Sequence, residues 1–146
     1  MITVDKKLIP QELLKDSIII HLAAAYFSVG KRLEQKTGCS QTRGFILSTL
    51  RGGASLNQNQ IAKLLAFDRT VVHRAVKSLL KEGLVSERKA PRGRALLVRL
   101  TAKGTKYRES LIAERRSLDD SLRNHFTPDD IASLLHLLKR LAELEL

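Results

Sequence analysis

Apolar residues recur at helical spacing through most of this chain, and the period breaks in one place only. Pro10 suits the first turn of a helix. Beyond it Leu14, Ile18, Leu22, Ala25, Val29 and Leu33 form one stripe, at steps of four and three, running up to Gly38. Ser40 is a cap for a second helix carrying Phe45, Ile46, Leu47 and Leu50, which Gly52 and Gly53 end. A short third helix begins at Asn57, with Gln60 placed three residues on for a capping box and Ile61, Ala62, Leu64 and Leu65 as its buried side. The fourth runs from Asp68 to Gly83 with Val72, Ala75, Val76 and Leu79 facing inward. Then Leu84-Val85-Ser86 and Ala95 to Leu100 read as two strands around a loop containing Pro91, Arg92, Gly93 and Arg94. Thr101 caps a fifth helix (Tyr107, Leu111, Leu118 and Leu122 apolar). Thr127-Pro128-Asp129-Asp130 opens a sixth, with Ile131, Leu134, Leu135, Leu138 and Leu141 on one face. Without repeats, low-complexity tracts or linkers, residues 1–146 read as one domain: mainly α with a small β-hairpin.

The pair of helices around Ala66-Phe67 fits a helix-turn-helix, in which a first helix braces a second that enters the DNA major groove. Such a second helix needs a packing face and a face of hydrogen-bond donors. Here Val72, Val76 and Leu79 pack, while Arg69, Thr70, His73, Arg74 and Lys77 point the other way. Arginine can grip a guanine edge with two hydrogen bonds, and threonine can touch a thymine methyl. Asp68 is assigned to capping. A solvated polar face on an ordinary amphipathic helix would look the same, so the segment does not decide the matter alone.

Charge changes the picture. The 146 residues hold 26 Lys and Arg against 15 Asp and Glu, a formal net charge of +11. That excess predicts an anionic partner, with nucleic acid first and an acidic membrane second. The positive residues also cluster: Arg88, Lys89, Arg92, Arg94, Arg99, Lys103, Lys106 and Arg108 stand between Ser86 and Arg108. A basic hairpin after a recognition helix can lie along the DNA backbone and push a side chain into the minor groove. Arg94 is the candidate for that insertion, with Arg88, Lys89 and Arg92 as further DNA contacts.

Other chemistry finds little support. A single cysteine, Cys39, excludes an internal disulfide framework and a multi-cysteine zinc site. His21, His73, His125 and His136 lack the spacing of helical metal ligands. No Gly-rich phosphate loop, nucleophile elbow or pair of catalytic acids is present, so neither an enzyme nor a bound cofactor or metal is expected. The start of the chain has no apolar signal core, and no apolar run approaches the roughly 18 residues of a membrane span, so a cytoplasmic location is expected. Aromatic residues make up 4%, leaving no base-stacking platform for an RNA-binding or ribosome-associated module.

Three segments together resemble the multiple antibiotic resistance regulator (MarR) family of bacteria. They are Leu56-Asn57-Gln58 with Ile61-Ala62; Val72-His73-Arg74 with Leu79 to Val85; and Arg94-Ala95 with Leu100-Thr101-Ala102-Lys103-Gly104. The resemblance covers almost the whole chain. It implies a winged helix-turn-helix over 40–104, flanked by long N- and C-terminal dimerisation helices over 1–38 and 105–146. It further implies a homodimer that reads a pseudo-palindromic operator in double-stranded DNA, a repressor released by a small-molecule effector of phenolic type. The leucine-rich end helices support dimerisation independently, since they carry more apolar surface than one small core can hide. Two places depart from the family. Arg92 stands where its wing usually has Asp, which favours backbone affinity over sequence discrimination, and Cys39 differs in position from the family's usual sensing cysteine. A lone cysteine is usually a small buried hydrophobe, and His21 reads as a satisfied or interfacial histidine. An architectural, nucleoid-type DNA binder with little sequence preference is the alternative function.

Overall fold

The computed structural model describes residues 15–145; the expected contributions of Pro10 and Leu14 lie outside them. Six α-helices and one hairpin follow in the order α1 (Ile18–Thr37), α2 (Gln41–Thr49), α3 (Gln58–Leu65), α4 (Arg69–Lys81), β1 (Val85–Lys89), β2 (Leu96–Leu100), α5 (Ala102–Arg123) and α6 (Pro128–Ala142). A short 3₁₀ turn, Arg51–Gly53, closes α2. The arrangement is that of a winged helix-turn-helix. It divides into two compact units, one ending at Leu111 and the other beginning at Ile112.

Short polar side chains start these helices where the chain cannot supply its own acceptors. Ser17 accepts from the Ile20 amide, Ser40 from that of Arg43, and Asp68 from that of Thr70. Asn57 and Gln60 form a reciprocal capping box on α3. Ser17 sets the start of α1, whereas the apolar stripe alone suggested continuity from Leu14. Gly38, with φ +67°, ends α1 in the left-handed region.

The core of the first unit joins α2, α3, α4 and the foot of the hairpin. Ile46, Leu47, Leu50, Ile61, Val72, Val76, Leu79 and Val98 are fully buried. One residue expected on a buried side lies elsewhere. Leu64 is 65% exposed, because Ile61 and Ala62 already fill the inward side of the two-turn α3. Phe45 stays partly exposed and packs edge-on against Phe67, ring centroids 6.3 Å apart. Among the described residues the stripe on α1 is only partly covered: Ile18, Leu22 and Ala25 are exposed, Val29 and Leu33 are half-buried, and Gly30 is buried.

Strands β1 and β2 pair antiparallel, Val85 opposite Leu100 through Lys89 opposite Leu96. The first strand thus runs three residues past the expected Ser86 and takes Arg88 and Lys89 into the ladder. Leu56 adds a bridge to Val98 through two backbone hydrogen bonds of 2.8 and 3.1 Å. Glu82, at the end of α4, is a junction. Its carboxylate pairs with Arg43 of α2 at 2.6 Å and accepts from Ser78, while its backbone carbonyl accepts from Lys103 of α5. Thr101 links the hairpin to α5: its hydroxyl donates to the Gly83 carbonyl and accepts from the Gly104 amide. Gly104 sits so near the Leu84 carbonyl that a Cβ there would overlap its oxygen.

In the second unit, the remainder of α5 buries Leu118. A turn at Leu122–Phe126 leads to α6, which opens on the expected Thr127 cap, Pro128 and a capping box with Asp130. Leu134, Leu135, Leu137 and Leu138 of α6 are all exposed. Among the described residues no helix is long and apolar enough to cross a membrane.

Candidate nucleic-acid interface

Helix α4 separates its two chemistries cleanly. Val72, Ala75, Val76 and Leu79 are buried, and Arg69, Thr70, His73, Arg74 and Lys77 are exposed on the other side. Arg69, His73 and Lys77 are four residues apart and therefore stack along one row, with Thr70 and Arg74 forming the row beside it. The burial of the inward residues fixes the rotation of the helix, and with it the direction in which these five side chains point.

The turn that presents α4 is held by its backbone. Ala66 adopts φ +51°, and the Phe67 amide donates to the Ala62 carbonyl at 3.0 Å. Asp68 then receives hydrogen bonds from the Thr70 backbone and side chain, which hold its carboxyl below the usual carboxylate range.

The hairpin supplies the second group. Arg88, Lys89, Arg92 and Arg94 are all exposed. Arg88 and Lys89 are adjacent in a strand, so they project from opposite faces of the hairpin. The loop at the tip is tight: the Ala90 amide donates to the Ala95 carbonyl at 2.9 Å, and Gly93 has φ +86°. That closure holds Arg92 and Arg94 on a four-residue turn without the carboxylate that Arg92 displaces.

One connection between these groups is not evident from the sequence. His73 on α4 lies 3.2 Å from Gln58 Oε1 on α3, and Gln58 Nε2 donates to Glu87 on β1 at 3.3 Å. The Glu87 carboxylate orients the amide, so Gln58 presents its oxygen to His73 and Nδ1 carries the proton. Gln58 therefore ties both helices of the motif to the wing. Its sequence signal was its place just inside the capped start of α3, which marks a position and not a partner. Val71, 41% exposed beside Thr70, is a further apolar group on the outward side of α4.

The remaining candidates have local explanations. His21 Nδ1 lies 2.9 Å from the Ser17 carbonyl one helical turn back. Cys39 is buried, and that burial pushes its thiol pKa up despite a lowering hydrogen bond with Tyr107. Among the described residues no group of His, Cys, Asp and Glu could hold a metal ion.

Comparison with known proteins agrees with this geometry. Residues 40–95, from the cap of α2 to the far side of the wing loop, match the model of the MarR family. YdgJ, an HTH-type transcriptional regulator of Bacillus subtilis, is 29% identical over 125 residues, covering 85% of this chain and 76% of its own. A Pseudomonas aeruginosa protein classed as a transcriptional regulator superposes with a TM-score of 0.78 at 28% identity, over 88% of this chain and 98% of its own. The fold is also that of apo MarR from Escherichia coli, with a TM-score of 0.74 at 20% identity over 86% and 97% of the two chains. BpsR of Bordetella bronchiseptica, whose DNA binding is regulated by 6-hydroxynicotinic acid, gives 0.77 at 19% identity over 89% and 96%. Residues 40–95 thus match the MarR family, and the chain has the winged helix-turn-helix fold of that family's solved structures.

Proposed function

We propose that the protein is a sequence-specific regulator, a repressor that reads a pseudo-palindromic operator as a homodimer and releases it when a small molecule binds. One observation carries the reading. Five donor-bearing or methyl-bearing side chains stand exposed on α4 directly over a fully packed face, beside a tight basic hairpin. In this reading Arg69, Thr70, His73, Arg74 and Lys77 enter the major groove. Arg94 enters the adjacent minor groove, and Arg88, Lys89 and Arg92 meet phosphates. Exposed apolar faces on α1 and α6 support dimerisation through residues 1–38 and 105–146. Support for effector control comes from BpsR, whose DNA binding is regulated by 6-hydroxynicotinic acid, a hydroxypyridine acid and not a phenol.

The test is an unbiased selection of duplex DNA on the purified protein, with hits remeasured across salt concentrations. A specific regulator enriches a two-fold-symmetric motif and prefers it by roughly 10³-fold or more over random duplex. Tight, steeply salt-dependent binding to every duplex, with nothing enriched, would replace this reading with the architectural one. The charge of +11 and Arg92 in the wing are the features that favour that second reading.

A further inference from the structure

At the foot of the hairpin, away from the nine side chains assigned to DNA, lies a recess lined by three arginines. Arg51 comes from the turn after α2, Arg99 from β2 and Arg108 from the second turn of α5, with Thr105 and Gly52 between them. These residues are far apart in sequence, and the fold brings them together. No acidic residue lines the recess. Among the described residues the one ion pair is Arg43 with Glu82, so no carboxylate neutralises this cluster. Arg108 Nε is buried there and has no hydrogen-bond partner. A charged donor taken out of water without an acceptor is costly, and converging like charges add to the cost. An anion of the right size removes the repulsion among the three charges.

We propose that this recess binds the phosphate group of a small phosphomonoester. The three guanidinium groups offer paired donors and a charge that matches a dianion better than a monocarboxylate. Thr105, whose hydroxyl otherwise donates to the Thr101 carbonyl one turn back, can rotate to supply a further donor. The Thr101 hydroxyl cannot, being held by the Gly83 carbonyl at 2.7 Å. The recess has a volume of about 380 Å³, more than a bare phosphate fills, which leaves room for the esterified group. A ligand bound here joins the return strand of the wing to the start of α5 and to the turn after α2. The site goes beyond DNA reading and stands apart from it, sharing no residue with it.

Calorimetric titration of the full chain with inorganic phosphate and with glycerol phosphate, at ionic strength fixed with chloride, tests the proposal. The expected result is saturable binding of one ligand per chain, with glycerol phosphate the tighter of the two. Arg51→Ala and Arg108→Gln should each weaken it by about tenfold or more, and Arg92→Ala should leave it unchanged. Arg51 is exposed at a surface turn, so its variant keeps the test valid if Arg108→Gln misfolds. Tighter binding of inorganic phosphate would overturn the phosphomonoester assignment. Heat indistinguishable from the chloride control, or equal affinity in wild type and Arg51→Ala, would overturn the site altogether. Loss of duplex binding in Arg51→Ala without any phosphate binding would make the cluster a contact to the DNA backbone and equally overturn it. None of these outcomes depends on whether the duplex selection yields an operator.

Discussion

Arg74 and Arg88 are both exposed arginines, yet they sit on elements that meet DNA differently, and this separates their expected effects. Arg74 projects from a helix whose rotation is fixed by buried Val72 and Val76. If it reads a base, Arg74→Ala should cost about 1–3 kcal/mol on the selected site and relax preference at one position. Arg88, in a strand, should contact phosphate, so Arg88→Ala should weaken every duplex alike and lower the salt slope by about one unit. Binding isotherms on selected and scrambled duplexes at several salt concentrations check both, and a uniform loss for Arg74→Ala would refute base reading. Asp68 gives a second prediction at this scale. Its hydrogen bonds from Thr70 lower its folded pKa, so the unfolded chain takes up the proton first. The cap therefore stabilises the fold above the ordinary carboxylate pKa of about 3.9, and is lost as pH falls through the lower folded value. Asp68→Asn keeps a capping oxygen that does not titrate. The difference in urea midpoint between wild type and Asp68→Asn should hence shift against wild type between about pH 5 and 3, and a pH-independent difference would reject the account.

Elements were the most legible level in the sequence, because each is set by local chemistry. Asn57 with Gln60, Asp68, Thr101 and Thr127 with Pro128 mark helix starts by the acceptors they carry, and all of them cap in the structure. Burial was less legible where an element is short. In the two turns of α3, Leu64 is as apolar as Ile61, and only the position of α4 and the hairpin decides which points inward. Contacts between elements were not legible at all: nothing local in Gln58 indicates Glu87, and nothing in Arg51 indicates Arg108. Gly104 belongs to the same class, since its close approach to Leu84 arises from packing of α5 on the hairpin. Gly104→Ala should cost about 2–3 kcal/mol, because the obstructing atom is a backbone oxygen that also accepts from Thr101. Gly44, inside α2, is the contrasting case. A Cβ there meets nothing within 4 Å, and Gly44→Ala should stabilise by about 0.5–1 kcal/mol through helix propensity. Chemical denaturation of the two variants should move in opposite directions.

At the scale of the whole molecule, the apolar surface left over is the strongest constraint on how the protein works. On α1, Ile18, Ile19, Leu22, Tyr26 and Phe27 are exposed, with Ile19 at 79% and Phe27 at 60%. The four exposed leucines of α6 add a second such face. Scattered single residues of this kind are ordinary on a monomer, but contiguous helical faces are the mark of a partner surface. In the proposed function that partner is a second copy of this chain, and two α4 helices would then lie about one DNA turn, roughly 34 Å, apart to read a two-fold operator. Sedimentation of the wild type should therefore give a dimer at micromolar concentration. Ile19→Glu with Phe27→Glu places charge on the α1 face without touching any buried residue of the head. That variant should sediment as a monomer with unchanged helical circular dichroism, retain weak binding to any duplex, and lose its preference for the symmetric site over a half-site. A folded variant that stays dimeric would remove the α1 face from the interface. One that turns monomeric yet keeps its preference for the symmetric site would break the link between dimerisation and operator reading.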